Sequence, residues 1–537
     1  MKKTITSICI AVLGITNLYC QQLDSTFNFT GYHEYYVGTS WWEGDLNQVV
    51  ITDEGKILNA GRTYDPGDPF NLKLALSKLN SDGSLDLGFN GSGFKIIDCW
   101  DGYEMCSDMK LQNDGKIVLM VQVDDSSTVP WDQRFFNYLV RLNADGTFDT
   151  TFGSAGKVKL DSTGTYSSGL NSSIAIKDDG KIIVTQAYII SLSPYPANID
   201  VAVLQFNADG TLDNSFGTSG RTVFGFYEGD GPRSIAIQSD DKIVIAGDAY
   251  NPAGMLPPNN TLTDIFVARL NSNGTIDSSF ATNGIYTTTV GTENDRLDEV
   301  LIQPDGNILV SGAFQVGPLS ANDFDLFTLR LLPNGTKDTT YGNAGFSLWR
   351  VSNIHTYERA HAMVLQSDGK SIIASHINTG GQHSDFALTR FLSDGTLDSS
   401  FATNGSLITN MVMAEQPEDM VFQSDGKLVV SGLTAACNTC PLRNITYRFD
   451  NLNVISGLDP IQEANPIRIY PNPASNYFKI GFSGRISQVE LYNVGGQQII
   501  AAKNSKIIDV SRIASGLYFY KITNDEGKLY LGKLLVE

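Results

Sequence analysis

Residues 234–247 read SIAIQSDDKIVIAG: a run of alternating apolar residues, a polar turn, and a second, mostly apolar run. A short turn between two such runs is typical of a β-hairpin. The pattern recurs, with its central turn position at Gly55, Gly115, Gly180, Asp241, Gly306, Gly369 and Gly426. Seven hairpins of one design indicate a repeat architecture.

A second signature has the same number of copies. It is an Asp, two residues, an aromatic residue, three residues and a Gly, and it starts at Asp24, Asp86, Asp149, Asp213, Asp277, Asp338 and Asp398. Successive copies lie 60 to 64 residues apart. A third signature, a basic or polar residue followed by Leu or Phe, runs from Lys78-Leu79 to Arg448-Phe449. Each repeat therefore contains about four short strands and no helical period, which is typical of a β-propeller blade.

The two ends of the array predict how it closes. The segment LDSTFNFTG at 23–31 aligns on LDSSFATNG at 397–405, whereas the last repeat ends at NITYRFDNLN, 444–453, and lacks this segment. The first and last pieces together make one complete repeat. We therefore expect an all-β, seven-bladed β-propeller closed by N- and C-terminal strands, because closure removes two exposed sheet edges. An open β-solenoid, the alternative, leaves the split repeat unexplained.

The regions outside the array have different compositions. Residues 1–20, with Lys2, Lys3 and an apolar run from Ile8 to Leu18, are typical of a secretory signal peptide; a lipidated Cys20 is the alternative. No later segment has ~20 consecutive apolar residues, so no membrane span is expected. The sequence thus predicts a propeller over 21–454, a polar linker over 455–466, and a small C-terminal β-sandwich of about seven strands over 467–537.

Two stretches resemble known families. Residues 23 to about 453 resemble the delta-60 repeat family, whose mark is RLNxDGxLDxSFGxxG followed by DGKIVVAG; this resemblance implies an exported or surface propeller and no particular activity. Residues 467–537 resemble the type A C-terminal sorting domain of the type IX secretion system of Bacteroidetes-type bacteria. The matching motifs are Tyr470-Pro471-Asn472-Pro473, Leu491-Tyr492-Asn493 with Gly495-Gly496, and Leu517-Tyr518 after Ser515-Gly516.

That second resemblance implies a route and a partner. The type IX machinery would carry the protein across the outer membrane and remove the domain, after which the protein is released or attached to surface lipopolysaccharide. The final Glu537 departs from the basic ending common in the family. The rest of the chain is expected to be a monomer on the cell surface or in the medium.

The net charge and the cysteine residues limit which partners, disulfides and metal sites we expect. The formal net charge of −20 repels a polyanion, so nucleic acid is a poor partner. In an exported protein, the local pairs Cys99/Cys106 and Cys437/Cys440 are expected to be disulfides, with a redox or half-zinc motif as the alternative for the second pair. No cofactor or metal is predicted, because the Asp-Gly turns lack the distal Glu of a calcium loop and the histidines lack metal-ligand spacing.

One position is polar and variable where the repeat otherwise keeps its residue types. It lies eight residues before each hairpin centre, and from the following position Glu299 and Asp419 are added. The predicted binding residues are Asn47, Ser107, Ser172, Arg233, Asp298, Glu299, His361, Glu418 and Asp419. Strands radiating from one axis would place them in a ring at a channel mouth. The alternative is that strand ends face water and are polar for that reason.

These residues support two functional hypotheses. The first is a binding or interaction scaffold for a glycan or protein, with Trp41, Trp42 and Trp131 either stacking on sugars or packing between blades. The second is a propeller glycoside hydrolase or lyase, with catalytic acids drawn from Asp298, Glu299, Glu418 and Asp419. Such an enzyme needs two carboxylates ~5–10 Å apart, one with a raised pKa.

Overall fold

The structure is a computed structural model. It describes residues 23–28, 30–35, 45–65, 68–100, 102–124, 135–160, 172–191, 198–227, 229–251, 262–291, 294–317, 323–351, 357–380, 383–409, 414–435, 443–450, 468–470, 474–481, 484–493, 498–525 and 529–536. Across these residues the regular secondary structure is β-strand, with no helix, so the predicted all-β class is confirmed. The chain divides into two compact portions, Met1–Ile455 and Ser456–Glu537. The predicted signal peptide and linker lie outside the described residues.

The strands of the first portion fall into antiparallel groups of four, which we call units 1 to 7. A single parallel pair joins units 3 and 4, and another joins units 6 and 7, so each of these two pairs of units forms one eight-stranded sheet. Units 1 to 3 are β2 to β5 (Leu46–Ile51, Ile57–Asp65, Asp68–Leu79, Phe94–Ile97), β6 to β9 (Tyr103–Leu111, Ile117–Asp124, Phe135–Leu142, Lys157–Lys159) and β10 to β13 (Ser172–Ile176, Ile182–Ser191, Asn198–Phe206, Arg221–Phe224). Units 4 and 5 are β14 to β17 (Gly229–Ile237, Ile243–Asn251, Leu262–Leu270, Ile285–Thr288) and β18 to β21 (Asp295–Ile302, Ile308–Gln315, Phe324–Leu331, Phe346–Trp349).

Unit 6 is β22 to β25 (Glu358–Leu365, Ser371–Gly380, His383–Phe391, Ser406–Ile408), and unit 7 is β26 to β28 (Ala414–Phe422, Leu428–Ala435, Arg443–Phe449) with β1 (Tyr32–Tyr35). Within each unit the strands are antiparallel and follow one another in order. In unit 7 the fourth strand comes from the other end of the chain: β1 pairs with β28, Tyr32 opposite Tyr447.

The predicted hairpins form because a tight turn follows each first strand. In unit 2, Gln112 N donates to Lys116 O and Gly115 N to Gln112 O, both at 2.9 Å, and Gly115 has a φ of 79°. Glycine adopts such a positive φ without a steric penalty. Asp241 occupies the same position in unit 4 with a φ of 64°, so the fold imposes this backbone even where the sequence departs from glycine.

The Asp-aromatic-Gly signature joins neighbouring units. In unit 2, Arg141 Nε donates to Asp149 Oδ2 at 2.8 Å, and the guanidinium lies 4.4 Å from the centre of the buried Phe152 ring. The turn glycine of unit 3, Gly210, packs against the same ring, and a Cβ there would lie 2.9 Å from it. Next to it, Gly153 N donates to Asp209 O of unit 3 at 2.9 Å.

The same contacts recur between unit 7 and unit 1. Arg448 binds Asp24 at 2.6 Å and lies 4.7 Å from the centre of the Phe27 ring, which packs against Gly83 of unit 1. Asn28 N donates to Asp82 O of unit 1 at 2.7 Å. The interface between the last and first units therefore uses the chemistry of the interfaces between consecutive units.

Apolar clusters fill the spaces between successive sheets. One contains Val244 and Val267 of unit 4 together with Leu297 and Val310 of unit 5, all at most 1% exposed. Each sheet thus buries both faces, one against each neighbour. Burying apolar area on both faces stabilises the array, at roughly 25 cal/mol per Å².

The second portion has a separate core. Strands β29, β30 and β33 (Arg468–Tyr470, Tyr477–Gly481, Ile507–Asp509) form one sheet, and β32, β31, β34 and β35 (Gln498–Lys503, Ile486–Asn493, Gly516–Asn524, Leu529–Val536) form the other. Phe478, Val489, Ile522 and Leu534 are fully buried in the cluster between them.

The structure corrects the expectation for the first cysteine pair. Cys99 and Cys106 are free and lie in one apolar cluster. The Cys106 thiol donates to Asp108 O at 3.4 Å, while the Cys99 backbone N–H donates to Glu104 Oε1 at 2.8 Å. Burial raises the pKa of both thiols, which keeps them protonated and unreactive. Cys437 and Cys440 lie outside the described residues.

Candidate functional site

Six of the seven variable positions are β-bulges. The ladder between the first and second strands shifts register at Asn47, Ser107, Arg233, Asp298, His361 and Glu418. In unit 5, for example, Leu297 pairs with Gly312 and Glu299 with Ser311, so Asp298 is left between them. The seventh position, Ser172, is the first residue of β10. A bulge bends the strand and re-aims its side chain, a device common near active sites.

We use the name bulge layer for a set of residues at this end of the first strands. It comprises the bulge residues, the residues two positions before them, and the residues of the second strands that face them. On units 1 to 3 this layer is uncharged at the bulge. Asn47 Nδ2 donates to Cys106 O at 3.0 Å, and the Ser107 and Ser172 hydroxyls are 2.9 Å apart. Polar side chains therefore link the first strands of three consecutive units.

On units 4 to 7 the bulge layer is charged, and unit 1 adds Asp45, two residues before its bulge, which lies 2.8 Å from Arg62 Nε. Arg233 makes two contacts with Asp248, at 2.8 and 3.1 Å, and Arg296 Nε lies 3.2 Å from Asp298 Oδ1. Burial lowers the pKa of Arg233, but the carboxylates of Asp248 and Asp298 outweigh it. Burial and the charges of Arg233 and Arg359 together lower the pKa of Arg296. Charged side chains of units 4, 5 and 6 therefore influence one another's pKa values and form one cluster.

A histidine pair continues this cluster into unit 7. His361 Nδ1 lies 3.8 Å from Glu418 Oε2, and the His361 and His376 rings are 6.3 Å apart. Gln416 Nε2 donates to Glu418 Oε1 at 2.5 Å. Burial lowers the pKa of His376 to about 4, with the charges of His361 and Arg359 adding to the effect, so this ring is neutral at neutral pH.

Several polar atoms of the bulge layer are buried without a hydrogen-bond partner among the described residues. They include Asn47 Oδ1, Asp298 Oδ2, Arg359 Nε and His361 Nε2. The His361 side chain is 5% exposed and that of Asp298 is 8% exposed. Buried polar groups in native proteins are nearly always hydrogen-bonded, so these atoms require a partner that the described residues do not supply.

The position after the bulge ties neighbouring first strands together. Asp108 Oδ2 accepts hydrogen bonds from Ile174 N at 2.8 Å and Ser173 Oγ at 2.7 Å. Asp419 Oδ2 accepts one from Val49 N at 2.8 Å. In unit 4, Ser234 Oγ accepts a hydrogen bond from Val300 N at 3.2 Å and donates one to Glu299 Oε1 of unit 5 at 3.1 Å. Two of the predicted acids, Asp419 and Glu299, therefore lie at unit interfaces rather than among the bulge residues.

Lys110 connects three units through its charge. Its ammonium lies 2.7 Å from Asp108 Oδ1, and its side chain is 45% exposed. Burial lowers the pKa of Lys110, but the carboxylates of Asp108, Asp419 and Glu299 outweigh it and raise the pKa above the usual value. We call these four residues the Lys110 cluster. The charges of this cluster thus couple residues of units 2, 5 and 7, which are not consecutive along the chain.

The carboxylates of the Lys110 cluster have unequal proton affinities. Burial raises the pKa of Glu299 to about 8; Lys110 opposes the rise, whereas Asp419 and Asp108 add to it. Burial also raises the pKa of Asp419 to about 6, against the hydrogen bond from Val49 and the charge of Lys110. At neutral pH, Glu299 thus carries a proton and Asp419 is largely ionised. A protonated acid near an ionised one can transfer protons to and from a substrate.

Sequence reasoning missed an acidic position three residues before the bulge. It holds fully buried carboxylates in five units: Glu104, Asp230, Asp295, Glu358 and Glu415. Four of them accept hydrogen bonds from backbone N–H groups of the loop that leads into the strand, for example Phe226 N to Asp230 at 2.8 Å. Glu415 instead accepts hydrogen bonds from Thr409 and Tyr447. These acids hold the connections between units and are not part of the candidate site.

The predicted residues therefore separate into three groups. Asn47, Ser107 and Ser172 lie in the uncharged part of the bulge layer. Arg233, Asp298, His361 and Glu418 lie together in the charged part of the bulge layer, and Glu299 and Asp419 lie in the Lys110 cluster. Trp41, Trp42 and Trp131 lie outside the described residues, so the predicted stacking role for them stays a prediction. Among the described residues no three His, Cys, Asp or Glu side chains are grouped to hold a metal ion.

Comparison with known families confirms both resemblances. Residues 468–537 match the secretion system C-terminal sorting domain. Five segments, 112–152, 197–216, 238–280, 303–341 and 366–401, match a β-propeller domain of unknown function. The sorting domain marks the protein for the type IX machinery, which delivers it to the extracellular space or the cell surface. Within the described residues, no helix has the length and apolar character needed to cross a membrane.

Solved structures resemble the chain only distantly, and no curated protein matches its sequence. A Dyadobacter fermentans protein of unknown function is 11% identical, with 78% of this chain and 99% of that chain covered and a TM-score of 0.39. Virginiamycin B lyase from Staphylococcus aureus is 11% identical, with 78% and 99% covered and a TM-score of 0.40. The α-L-arabinofuranosidase Arb93A from Fusarium graminearum is 9% identical, with 78% and 97% covered and a TM-score of 0.39. Likenesses of this size carry no information on activity.

Proposed function

We propose that this type IX-exported protein is a binding scaffold: a closed, seven-bladed β-propeller over 21–454 that recognises an extracellular glycan or protein through the bulge layer. The sorting domain over 467–537 supplies the export signal and is removed. The observation that carries the proposal is the convergence of charged side chains from units 4 to 7 and unit 1, several with buried polar atoms that have no partner among the described residues.

Closure of the ring is supported by the contacts between unit 7 and unit 1. Asp419 accepts from Val49 N as Asp108 does from Ile174 N, each at 2.8 Å. Gln423 donates to Gly55 O as Gln112 does to Gly180 O, each at 3.3 Å. The mutual influence of Lys110, Glu299 and Asp419 also fits first strands arranged around one axis. In such a ring, the bulge layer is one end of the central channel and the Lys110 cluster lies inside it.

The experiment is a binding screen on the exported, full-length mature protein, using printed arrays of oligosaccharides and of peptides. His361→Gln and Asp298→Asn should abolish or strongly weaken each hit. Gln303→Ala is the matched control, since Gln303 lies on the same first-strand segment as Asp298 but beside the hairpin at its far end. Hits that survive both bulge-layer substitutions, or no hits on either array, would overturn the proposal.

A second candidate function rests on the Lys110 cluster. The raised pKa of Glu299 beside the ionised Asp419 supports a glycoside hydrolase or lyase in which Glu299 is the general acid. Each hit from the arrays should therefore be incubated with the protein and its products separated by mass. Turnover that disappears in Glu299→Gln would favour this function over binding alone. Intact oligosaccharides after long incubation would exclude it for those substrates.

A further inference from the structure

Two arginines occupy the same position in consecutive units. Arg296 of β18 and Arg359 of β22 each lie two residues before a bulge. Unit 4 has Gly231 there, unit 7 has Gln416 and unit 1 has Asp45, so the pair of cations is particular to units 5 and 6. Their guanidinium groups repel each other, since the charge of Arg359 contributes to the lowered pKa of Arg296.

The acidic residues nearby do not neutralise both arginines. Asp248 makes its two contacts with Arg233, and Asp298 makes a single 3.2 Å contact with Arg296. Among the described residues no carboxylate lies within 4.0 Å of Arg359, and its buried Nε has no hydrogen-bond partner. An arginine cannot lose its charge in a protein, and a buried charge without a counter-charge is costly.

We infer that Arg296 and Arg359 bind the carboxylate of an acidic carbohydrate, a sugar of the uronic acid type; the inference rests on the proposed function of the bulge layer. The N–H donors of a guanidinium group match the two oxygens of a carboxylate, and Arg359 Nε has no partner among the described residues. His376, opposite Arg359 on the second strand, is neutral and adds no competing charge.

The rest of the bulge layer favours a sugar over a polyanion. Asp298 Oδ2 and Asn47 Oδ1 are acceptors without partners among the described residues, and they suit the hydroxyl groups of a carbohydrate. Asp45, Asp248 and Glu418 add negative charge to the same layer, and the chain carries a net charge of −20. A ligand with many acidic groups would be repelled, whereas one carboxylate among hydroxyls is matched.

The test uses two oligosaccharides that differ only in a terminal glucuronic acid or glucose residue, and an acidic hexapeptide as a third probe. Isothermal titration of the full-length mature protein should give tighter binding of the acidic sugar, weakening as salt is added. Arg359→Gln should reduce the preference for the acidic over the neutral sugar by ~10–100-fold, as expected for hydrogen bonds to a charged group. Arg359→Lys, which keeps the charge, should retain part of that preference and also covers the case in which Arg359→Gln fails to fold.

The matched control is Arg350→Gln. Arg350 lies just beyond β21 and is held by Asp323 and Asp325, away from the first strands, so its loss should leave the preference unchanged. Equal binding of both sugars, or a preference that survives Arg359→Gln and Arg359→Lys, would overturn the inference while the proposed binding function stands. Preference for the hexapeptide would overturn it in favour of a protein ligand. Binding of no probe would also overturn it, and the array screen would then decide the proposed function separately.

Discussion

The contact between Asp24 and the last unit tests whether the two ends of the array hold each other. The Asp24 carboxylate lies 2.6 Å from Arg448 and 2.9 Å from Lys427, and it also accepts from Thr26. Asp277, inside the array, binds Arg269 at 2.8 Å, Lys242 at 3.3 Å and Ser279 in the same way. The two acids have matching partners, but only Asp24 joins segments from opposite ends of the chain.

Asp24→Ala should open this junction. Asp24 and Arg448 are 3% and 5% exposed at their side chains, so solvent does not screen the pair. Breaking a buried ion pair from one side costs about 3–5 kcal/mol. Arg448 keeps hydrogen bonds to Ser81 and Gln423 and its contact with the Phe27 ring, so the lower figure, about 3 kcal/mol, is expected. Since each ~1.4 kcal/mol is a factor of ten, opening becomes ~100-fold more favourable.

Hydrogen exchange measured by mass spectrometry is the assay. In Asp24→Ala, amides of 23–35 and 443–450 should exchange ~100-fold faster at neutral pH, because they exchange through this local opening. In the matched variant Asp277→Ala, faster exchange should appear around β16 and β17 and leave the chain ends protected. Unchanged protection of 23–35 in Asp24→Ala would refute the closing role of this contact.

The pH dependence of this junction has a definite sign. Burial raises the pKa of Asp24, but the hydrogen bonds from Thr26 and Lys427 and the charge of Arg448 outweigh it and hold the pKa well below 3.8. The carboxylate therefore stabilises the folded state fully above its unfolded pKa of ~4, and this contribution is lost only as pH falls below that value. Protection of 23–35 should be constant from about pH 5 to 8 and should fall in acid.

Three further predictions follow from buried groups and turns. Glu299 should titrate near pH 8 in carbon-detected NMR, and Lys110→Met should raise its pKa because the opposing ammonium is removed. Burial raises the pKa of Asp230 to about 7, so its ionisation destabilises the fold as pH rises from the unfolded pKa of ~4 through 7; Asp230→Asn should flatten this decline in urea unfolding measured from about pH 5 to 9. Gly335 and Gly426 share a φ of 84°, but a Cβ at Gly335 would lie 2.6 Å from the neighbouring aromatic ring, whereas a Cβ at Gly426 has nothing within 4 Å. In urea unfolding, Gly426→Ala should cost about 1–2 kcal/mol, and Gly335→Ala about 1–3 kcal/mol more.

The repeat, its four strands and the split unit could be predicted from the sequence because they depend on local chemistry. Asp-Gly turns fix the hairpins, and the spacing of Asp, aromatic residue and Gly places a buried ring beside the next turn. The sequence also singled out the bulge positions, since these were the places where repeats differ. It did not reveal the bulge itself, which depends on how the second strand pairs with the first.

Contacts between distant units could not be predicted. The sequence does show that Lys110 departs from the repeat, because the other repeats have an apolar residue at this position: Val50, Ala175, Ala236, Leu301, Val364 and Val421. Its acidic partners Glu299 and Asp419 belong to units 5 and 7, and no spacing along the sequence relates them to Lys110. The buried acids before the bulges were equally visible as an acidic position in five repeats. Most of their partners are backbone N–H groups of loops, and a pattern of side chains in the sequence does not indicate such partners.

The symmetry of the scaffold and the asymmetry of its bulge layer have separate physical causes. Positions that join one unit to the next keep the Asp, the aromatic residue and the turn Gly, because each interface has the same geometry. The residue beside the Asp is Arg in five units, Lys78 in unit 1 and Gln205 in unit 3. Bulge residues are released from that geometry, and they diverge into hydroxyls and amides on units 1 to 3 and paired charges on units 4 to 7. A ligand without sevenfold symmetry can be held in one orientation only by such an uneven arrangement. Residues at which the repeats disagree, rather than those at which they agree, are therefore the ones expected to distinguish the ligand of the proposed binding scaffold.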